Sequence, residues 1–457
     1  MLNFIFAQKS FSQTTKPISE RTTRILFLLD ASASMAIRMD SKWEDGTRMD
    51  AAKKILAQIV DTLKRKPNLE IGLRAFGSQS PTPLNDCSDS KLLVPFGTAN
   101  IPYIKDALKT IKPTGITPIA LSFEKAMNDF PKDSTARNIV ILITDGEESC
   151  GGDPCAISLA MQKNHIFLRP FIIAINAETN LSAEYECMGN YFNAQNPEGL
   201  KTILTNIVMT SLNPTSVQIN LLDINGKATE TDVDISFTDY YTKQTLYNYY
   251  HTITYSGVSD TISLDPVLKY DLTVHTIPAI TKLNVDLKPN VVNVINIPAP
   301  QGFLYVKTQT VAINNNVNNK IKCIVMKAGT SEEVNLQGMG LSEKYLCGKY
   351  DLEFLTLPRT TISNVDISER ETTTIQIPTP GVLSVSKSFP VVGGIFTCEN
   401  NEWKKIYDFA ETTGNETVAL QPGTYKVIYK SKSSKKTADS QTKTITISTG
   451  ENSSIAL

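Results

Sequence analysis

The sequence predicts an α/β doubly wound parallel sheet followed by three all-β sandwich-like modules. Residues 24–30 (RILFLLD) and 138–144 (NIVILIT) form two almost wholly apolar runs of strand length, the kind buried on both faces of a parallel sheet. Amphipathic stretches alternate with such runs as far as residue 212. From Val217 onward the helical period is gone, and short alternating runs rich in Thr, Val, Ile, Tyr and Asn are separated by Pro, Gly and Asn turns.

Taken in order, residues 24–30 give the first strand. Met49, Ala52, Ile55, Leu56, Ile59, Val60 and Leu63 then recur at helical spacing. Residues 69–76 (LEIGLRAF) return to strand alternation, residues 101–111 are helical, and a loop at 114–119 leads into a helix carrying residues 121–130. The strand at 138–144 ends at Asp145-Gly146. A helix over 154–164, a strand over 166–175 and a helix over 197–212 complete the pattern. Strands separated by helices argue a sheet covered on both faces.

The β half repeats itself. KYDLTVHTIP at 269–278 matches KYDLEFLTLP at 349–358 at an offset of 80, and LQPGTYKVIYK at 420–430 echoes both. VINIPAPQGFLYV at 294–306 likewise matches TIQIPTPGVLSV at 374–385. Self-similarity at one period signals units of one architecture, and about 80 residues with several strands suit a small sandwich. The resulting organisation is a leader over 1–22, an α/β domain over 23–212, and β modules over 213–301, 302–380 and 381–457.

Composition narrows the function. At 457 residues the chain is long enough for about three domains at ~150 residues each. Lys plus Arg total 45 against 46 Asp plus Glu, so no excess of positive charge exists to hold nucleic acid. After the N-terminus no stretch approaches the ~18 apolar residues of a spanning helix, so no integral membrane segment is expected. The histidines number three, His165, His251 and His275, and none sits in an HExxH pattern. No GxSxG, Walker or GxGxxG context appears. The chain reads as a protein that is not an enzyme.

Residues 1–7 (MLNFIFA) followed by Ser10-Phe11-Ser12 resemble the tail of a signal peptide cleaved before Gln13. Export to periplasm, cell surface or medium also suits the cysteines. Cys87, Cys150, Cys155 and Cys187 fall in loops of the first half, and the C-x4-C spacing of Cys150 and Cys155 does not match a zinc knuckle. Two disulfides are expected, with three connectivities open. In the second half Cys323 and Cys347 form a candidate pair, leaving Cys398 odd.

Three separated pieces of the α/β half reach one edge of the sheet. Asp30, Ser32 and Ser34 lie directly after the first strand, Thr117 lies in the loop before a helix, and Asp145 directly follows the strand at 138–144. All strand C-terminal ends of a parallel sheet lie on one side, where ligands bind. Two carboxylates and three hydroxyls are hard oxygen donors suited to a hydrated divalent cation, Mg²⁺ first, with Ca²⁺ or Mn²⁺ admissible. With only two carboxylates the ion keeps positive character and can accept an anionic oxygen from outside. Singly, each residue is also an ordinary cap or turn; their co-occurrence at strand ends favours a shared site.

These residues resemble the metal-ion-dependent adhesion site (MIDAS) of the von Willebrand factor type A (VWA) domain. The resemblance covers residues 24–212 and has all three pieces in order, Asp30, Ser32 and Ser34, then Thr117, then Asp145. Ala33 stands where many members have Gly, at a position that donates no ligand. The segments 85–89 (NDCSD), 147–155 (EESCGGDPC) and Glu186-Cys187 are similar to an exported bacterial subset of the family, and the repeats look more loosely like transthyretin-like or PEGA-type sandwiches. The resemblance implies Mg²⁺ bound by the five residues and a protein partner that completes its coordination with an Asp or Glu, hence adhesion without turnover. The alternative is an envelope scaffold whose β modules make the specific contacts.

Overall fold

The structure is a computed structural model that describes residues 21–39, 46–64, 66–132, 136–163, 166, 170–177, 185, 187–309 and 321–457. The expected leader up to residue 20, with its cleavage point, and His165 lie outside the described residues.

Strand β1 (Thr23–Asp30) is buried along its whole length. It lies between β2 (Leu69–Phe76) and β4 (Arg137–Thr144), parallel to both. With β3 (Ser90–Gly97), β5 (Phe171–Ile175) and β6 (Asn190–Ala194) these form a six-stranded sheet in the order β3-β2-β1-β4-β5-β6. Alternation along β1 divides the core. Ile25, Phe27 and Leu29 pack with helices α1 (Arg48–Thr62), α2 (Ile101–Thr110) and α5 (Pro197–Leu212). Leu26 and Leu28 pack on the other face with α3 (Ile119–Met127) and α4 (Pro154–Lys163).

Two features depart from the sequence expectation. The sheet is mixed, because β3 runs antiparallel to β2. A loop without a crossover helix joins them, and a chain that returns to the same edge without a crossover must reverse direction. Among the described residues the strand expected over 166–175 spans Phe171–Ile175. Among the described residues no helix is long and apolar enough to cross a membrane.

Beyond α5 the regular structure of the described chain is strand, apart from a short 3-10 turn at Thr437–Asp439. Strands β7 to β14 occupy residues 215–298, β15 to β21 occupy 301–377 and β22 to β28 occupy 381–456. Each group forms a four-stranded sheet and a three-stranded sheet, and in the first group the short β8 adds to the smaller sheet. In every group the first and last strands pair in parallel: β7 (Thr215–Leu222) with β14 (Val292–Pro298), β15 (Gln301–Thr308) with β21 (Thr372–Ile377), and β22 (Gly381–Lys387) with β28 (Asn452–Ala456). The repeated Tyr of the sequence motif does the same work three times. Tyr270, Tyr350 and Tyr425 are buried, and their hydroxyls donate to the carbonyls of Asp265, Leu346 and Gln421 at 2.9, 2.8 and 2.6 Å. Each bond ties a strand to the chain four or five residues before it and satisfies a polar atom inside an apolar core.

The cysteines of the β half are all free, contrary to the expected Cys323–Cys347 pair. Cys323 is buried opposite Phe354 at one end of β19 (Gly348–Phe354), while Cys347 precedes the other end. At ~3.3 Å per residue the strand separates them by roughly 20 Å, far beyond the reach of a disulfide.

Candidate metal-binding site of the α/β domain

β1 and β4 are neighbours, yet β2 continues the sheet on one flank and β5 on the other. Their C-terminal ends open onto the crevice where the strand order reverses, the place at which such sheets receive ligands. Asp30 ends β1 and Asp145 follows β4, so the topology brings together two carboxylates 115 residues apart in sequence.

Four of the five expected residues form one hydrogen-bonded chain, joined at its first link through the Ser32 backbone N–H and at the others through side chains. Asp30 is fully buried; its Oδ1 accepts the Ser32 N–H at 2.7 Å and its Oδ2 accepts the Thr144 hydroxyl at 2.6 Å. The Ser32 and Ser34 hydroxyls lie 2.9 Å apart, and Ser34 donates to Asp145 Oδ1 at 2.8 Å. Burial, reinforced by the negative charge of Asp145, pushes the Asp30 carboxyl from its ordinary 3.8 up to about 7, against the opposing pull of the Thr144 and Ser32 hydrogen bonds.

Thr117 joins through its loop. Ser32 pairs with Gly115, and the Ala33 N–H donates to the Gly115 carbonyl at 2.8 Å. Thr117 is buried; its N–H donates to Ser149 Oγ at 2.7 Å and its carbonyl accepts the Ser149 N–H at 3.1 Å. The close approach of these loops depends on Gly77, whose φ is +66°. A Cβ there would stand 2.6 Å from the Ile116 carbonyl oxygen and 2.9 Å from the Ser32 nitrogen.

Residues outside the expected set complete the frame. Glu148 accepts the Ala120 N–H at 2.6 Å, inside the first turn of α3, and the Cys150 N–H at 2.7 Å. Cys150 is bonded to Cys87, with Cα atoms 5.7 Å apart, which fastens the loop after β4 to the loop after β2. Cys155 is bonded to Cys187, so of the three open connectivities the chain takes 87–150 and 155–187.

The residue that sequence reasoning missed at the centre is Arg48. Its Nη1 lies 2.6 Å from Asp145 Oδ2, and both side chains are buried. A signal was present: Arg48 opens α1 directly after the Thr47 capping box, where the helix dipole disfavours a cation. A positive charge retained there calls for an acid elsewhere in the fold. The two histidines within the described residues take no part. His251 Nε2 shares a hydrogen bond with the Ile219 carbonyl at 2.8 Å and His275 Nε2 with Ser236 Oγ at 2.9 Å, both inside the β half.

The donor set is chemically consistent with a hard divalent cation. All its side-chain donors are carboxylate or hydroxyl oxygens, and among the described residues no positive side chain pairs with the buried Asp30 to hold it ionised. Among the described residues no three His, Cys, Asp or Glu side chains gather into a metal-ligating group, so an ion here would rest on two carboxylates and hydroxyls.

Residues 25–148 match the model of the von Willebrand factor type A domain. The chain is 30% identical over 167 residues to the uncharacterized protein YwmD of Bacillus subtilis (strain 168), covering 35% of this chain and 72% of that one. It is 27% identical over 204 residues to YwmC of the same organism, covering 42% and 86%. Among solved structures it is similar to the conserved hypothetical protein BatB from Bacteroides thetaiotaomicron, at 17% identity and a TM-score of 0.33, covering 41% of this chain and 98% of that one. The family match spans the strands and loops that carry Asp30, Ser32, Ser34, Thr117 and Asp145, and the chain belongs to the von Willebrand factor type A domain family.

Proposed function

We propose that this chain is an exported, non-catalytic binding protein whose α/β domain captures an acidic side chain of a protein partner at a MIDAS-type site. The observation that carries the reading is the unbroken chain Asp30, Ser32, Ser34, Asp145 at the crevice between β1 and β4. Asp30, Ser32, Ser34, Thr117 and Asp145 would hold Mg²⁺, directly or through water, with Ca²⁺ or Mn²⁺ as substitutes. Bound there, the ion supplies a positively charged centre open to a carboxylate oxygen.

The chain's own residues do the rest. Asp30 provides a carboxylate that gains by ionising when a cation arrives. Ser32 and Ser34 provide neutral oxygens that bind without cancelling charge, and the Thr144 and Ser32 hydrogen bonds fix the Asp30 rotamer. Two disulfides support an oxidising location, as expected of an exported chain.

Asp30→Ala is expected to abolish Mg²⁺ uptake in isothermal titration of the full chain while leaving the far-ultraviolet circular dichroism unchanged. Full uptake by that variant places the ion elsewhere and ends the proposal.

A further inference from the structure

Two carboxylates and no positive side chain would make a strong cation trap. The site differs, because Arg48 occupies one oxygen of Asp145. The pair is buried, with the Arg48 Nη1 at 2.6 Å from Asp145 Oδ2, while Ser34 takes the other oxygen. The rest of the guanidinium is sparsely engaged. Its Nη2 reaches the Asn176 carbonyl at 3.5 Å, and its buried Nε has no hydrogen-bond partner among the described residues. A guanidinium does not lose its proton in a protein, so this positive charge is permanent. Arg48 comes from α1, an element that supplies none of the expected donors.

We infer that Arg48 sets the charge of the site and thereby its demand for an anionic partner. With Arg48 present, the ionised Asp30 and Asp145 leave the cluster with a single net negative charge, and a divalent cation seated among them keeps a net positive one. A carboxylate from outside discharges it. Without Arg48 the two carboxylates balance the formal charge of the ion, so cation binding strengthens and the pull on a further anion weakens. Arg48 is thus a specificity determinant that weakens the grip on the ion and strengthens the grip on the partner's acid. The inference rests on the metal-binding reading above. A purely mechanical role, holding Asp145 in place, predicts the opposite sign for the ion.

The test is titration of Mg²⁺ into the full-length wild type, Arg48→Gln and Arg48→Lys, with circular dichroism to verify folding. Neutralising one charge a few ångströms from the ion changes binding by on the order of tenfold, so Arg48→Gln is expected to bind Mg²⁺ about tenfold more tightly. Arg48→Lys keeps the charge and is expected to stay near wild type. In a second arm, water-proton relaxation of the Mn²⁺-loaded proteins is followed while acetate is added; wild type responds at lower acetate concentration than Arg48→Gln. Weaker or unchanged Mg²⁺ binding in Arg48→Gln, or an Arg48→Lys variant that behaves like it, overturns the charge-setting role while the metal site stands. Absence of Mg²⁺ uptake in the wild type overturns both.

Discussion

A carboxyl pushed up to about 7 inside a folded chain makes stability depend on pH, and Asp30 is such a group. Its folded value lies above the ordinary 3.8, so between about pH 4 and 7 the folded, metal-free chain keeps a proton that the unfolded chain has released. Stability of the metal-free domain therefore falls as pH rises through that window, by a few kcal/mol at about 1.4 kcal/mol per pH unit. Melting in EDTA at pH 5 and pH 8 is expected to show the lower midpoint at pH 8, and Asp30→Asn, which cannot ionise, is expected to remove most of the difference. The same linkage runs through ligand binding. On the proposed reading Mg²⁺ displaces that proton, so its apparent affinity is expected to fall as pH drops from 8 to 6 and proton release is expected to accompany uptake. An affinity that does not vary across this range would show that the ion does not displace a proton from Asp30.

At the scale of elements, the sequence is readable where burial enforces a pattern. β1 and β4 are wholly buried and appear as continuous apolar runs, and α1 shows its buried face at helical spacing. β3 and β6 are only partly buried, at the two edges of the sheet, and β3 carries a proline; neither announces itself. The site follows the same logic. Asp30, Ser32, Ser34, Thr117 and Asp145 are legible because they directly follow buried strands or lead into a helix. Arg48 and Glu148 act across the fold, and their partners are fixed by packing rather than by spacing. Gly77 is the loop-level counterpart: its positive φ and its contacts with Ile116 and Ser32 let the loop after β2 lie under the two that carry the donors. Gly77→Ala is expected to force the Ser32 and Thr117 loops apart, costing about 1–3 kcal/mol in stability and weakening Mg²⁺ binding several-fold, as read by melting and titration on the same sample. A variant with wild-type affinity would show that the loops relax without moving the donors.

At the scale of the whole molecule, the segment just before each repeated tyrosine meets the preceding unit. The Leu346 N–H donates to the Ile277 carbonyl of the first module at 2.7 Å, and the Gln421 N–H donates to the Leu357 carbonyl of the second at 2.8 Å. In the first module the corresponding loop carries Asp265, whose Oδ2 meets Arg137 at the start of β4 at 2.7 Å; both side chains are buried. Arg137 also donates to the Ser211 carbonyl at 2.6 Å, and Val267 of the same loop packs into the core of the α/β domain. A buried ion pair that loses one partner leaves an uncompensated charge, at a cost of about 3–5 kcal/mol. Because that cost falls on the contact between two units, it acts on their cooperativity as well as their stability. Asp265→Ala is expected to lower the melting of the α/β domain and to separate its calorimetric transition from that of the first β module, whereas Glu353→Ala, at an exposed pair with Arg359, is expected to do neither. A single unshifted transition in Asp265→Ala would mean that the apolar contact of Val267 alone couples the two.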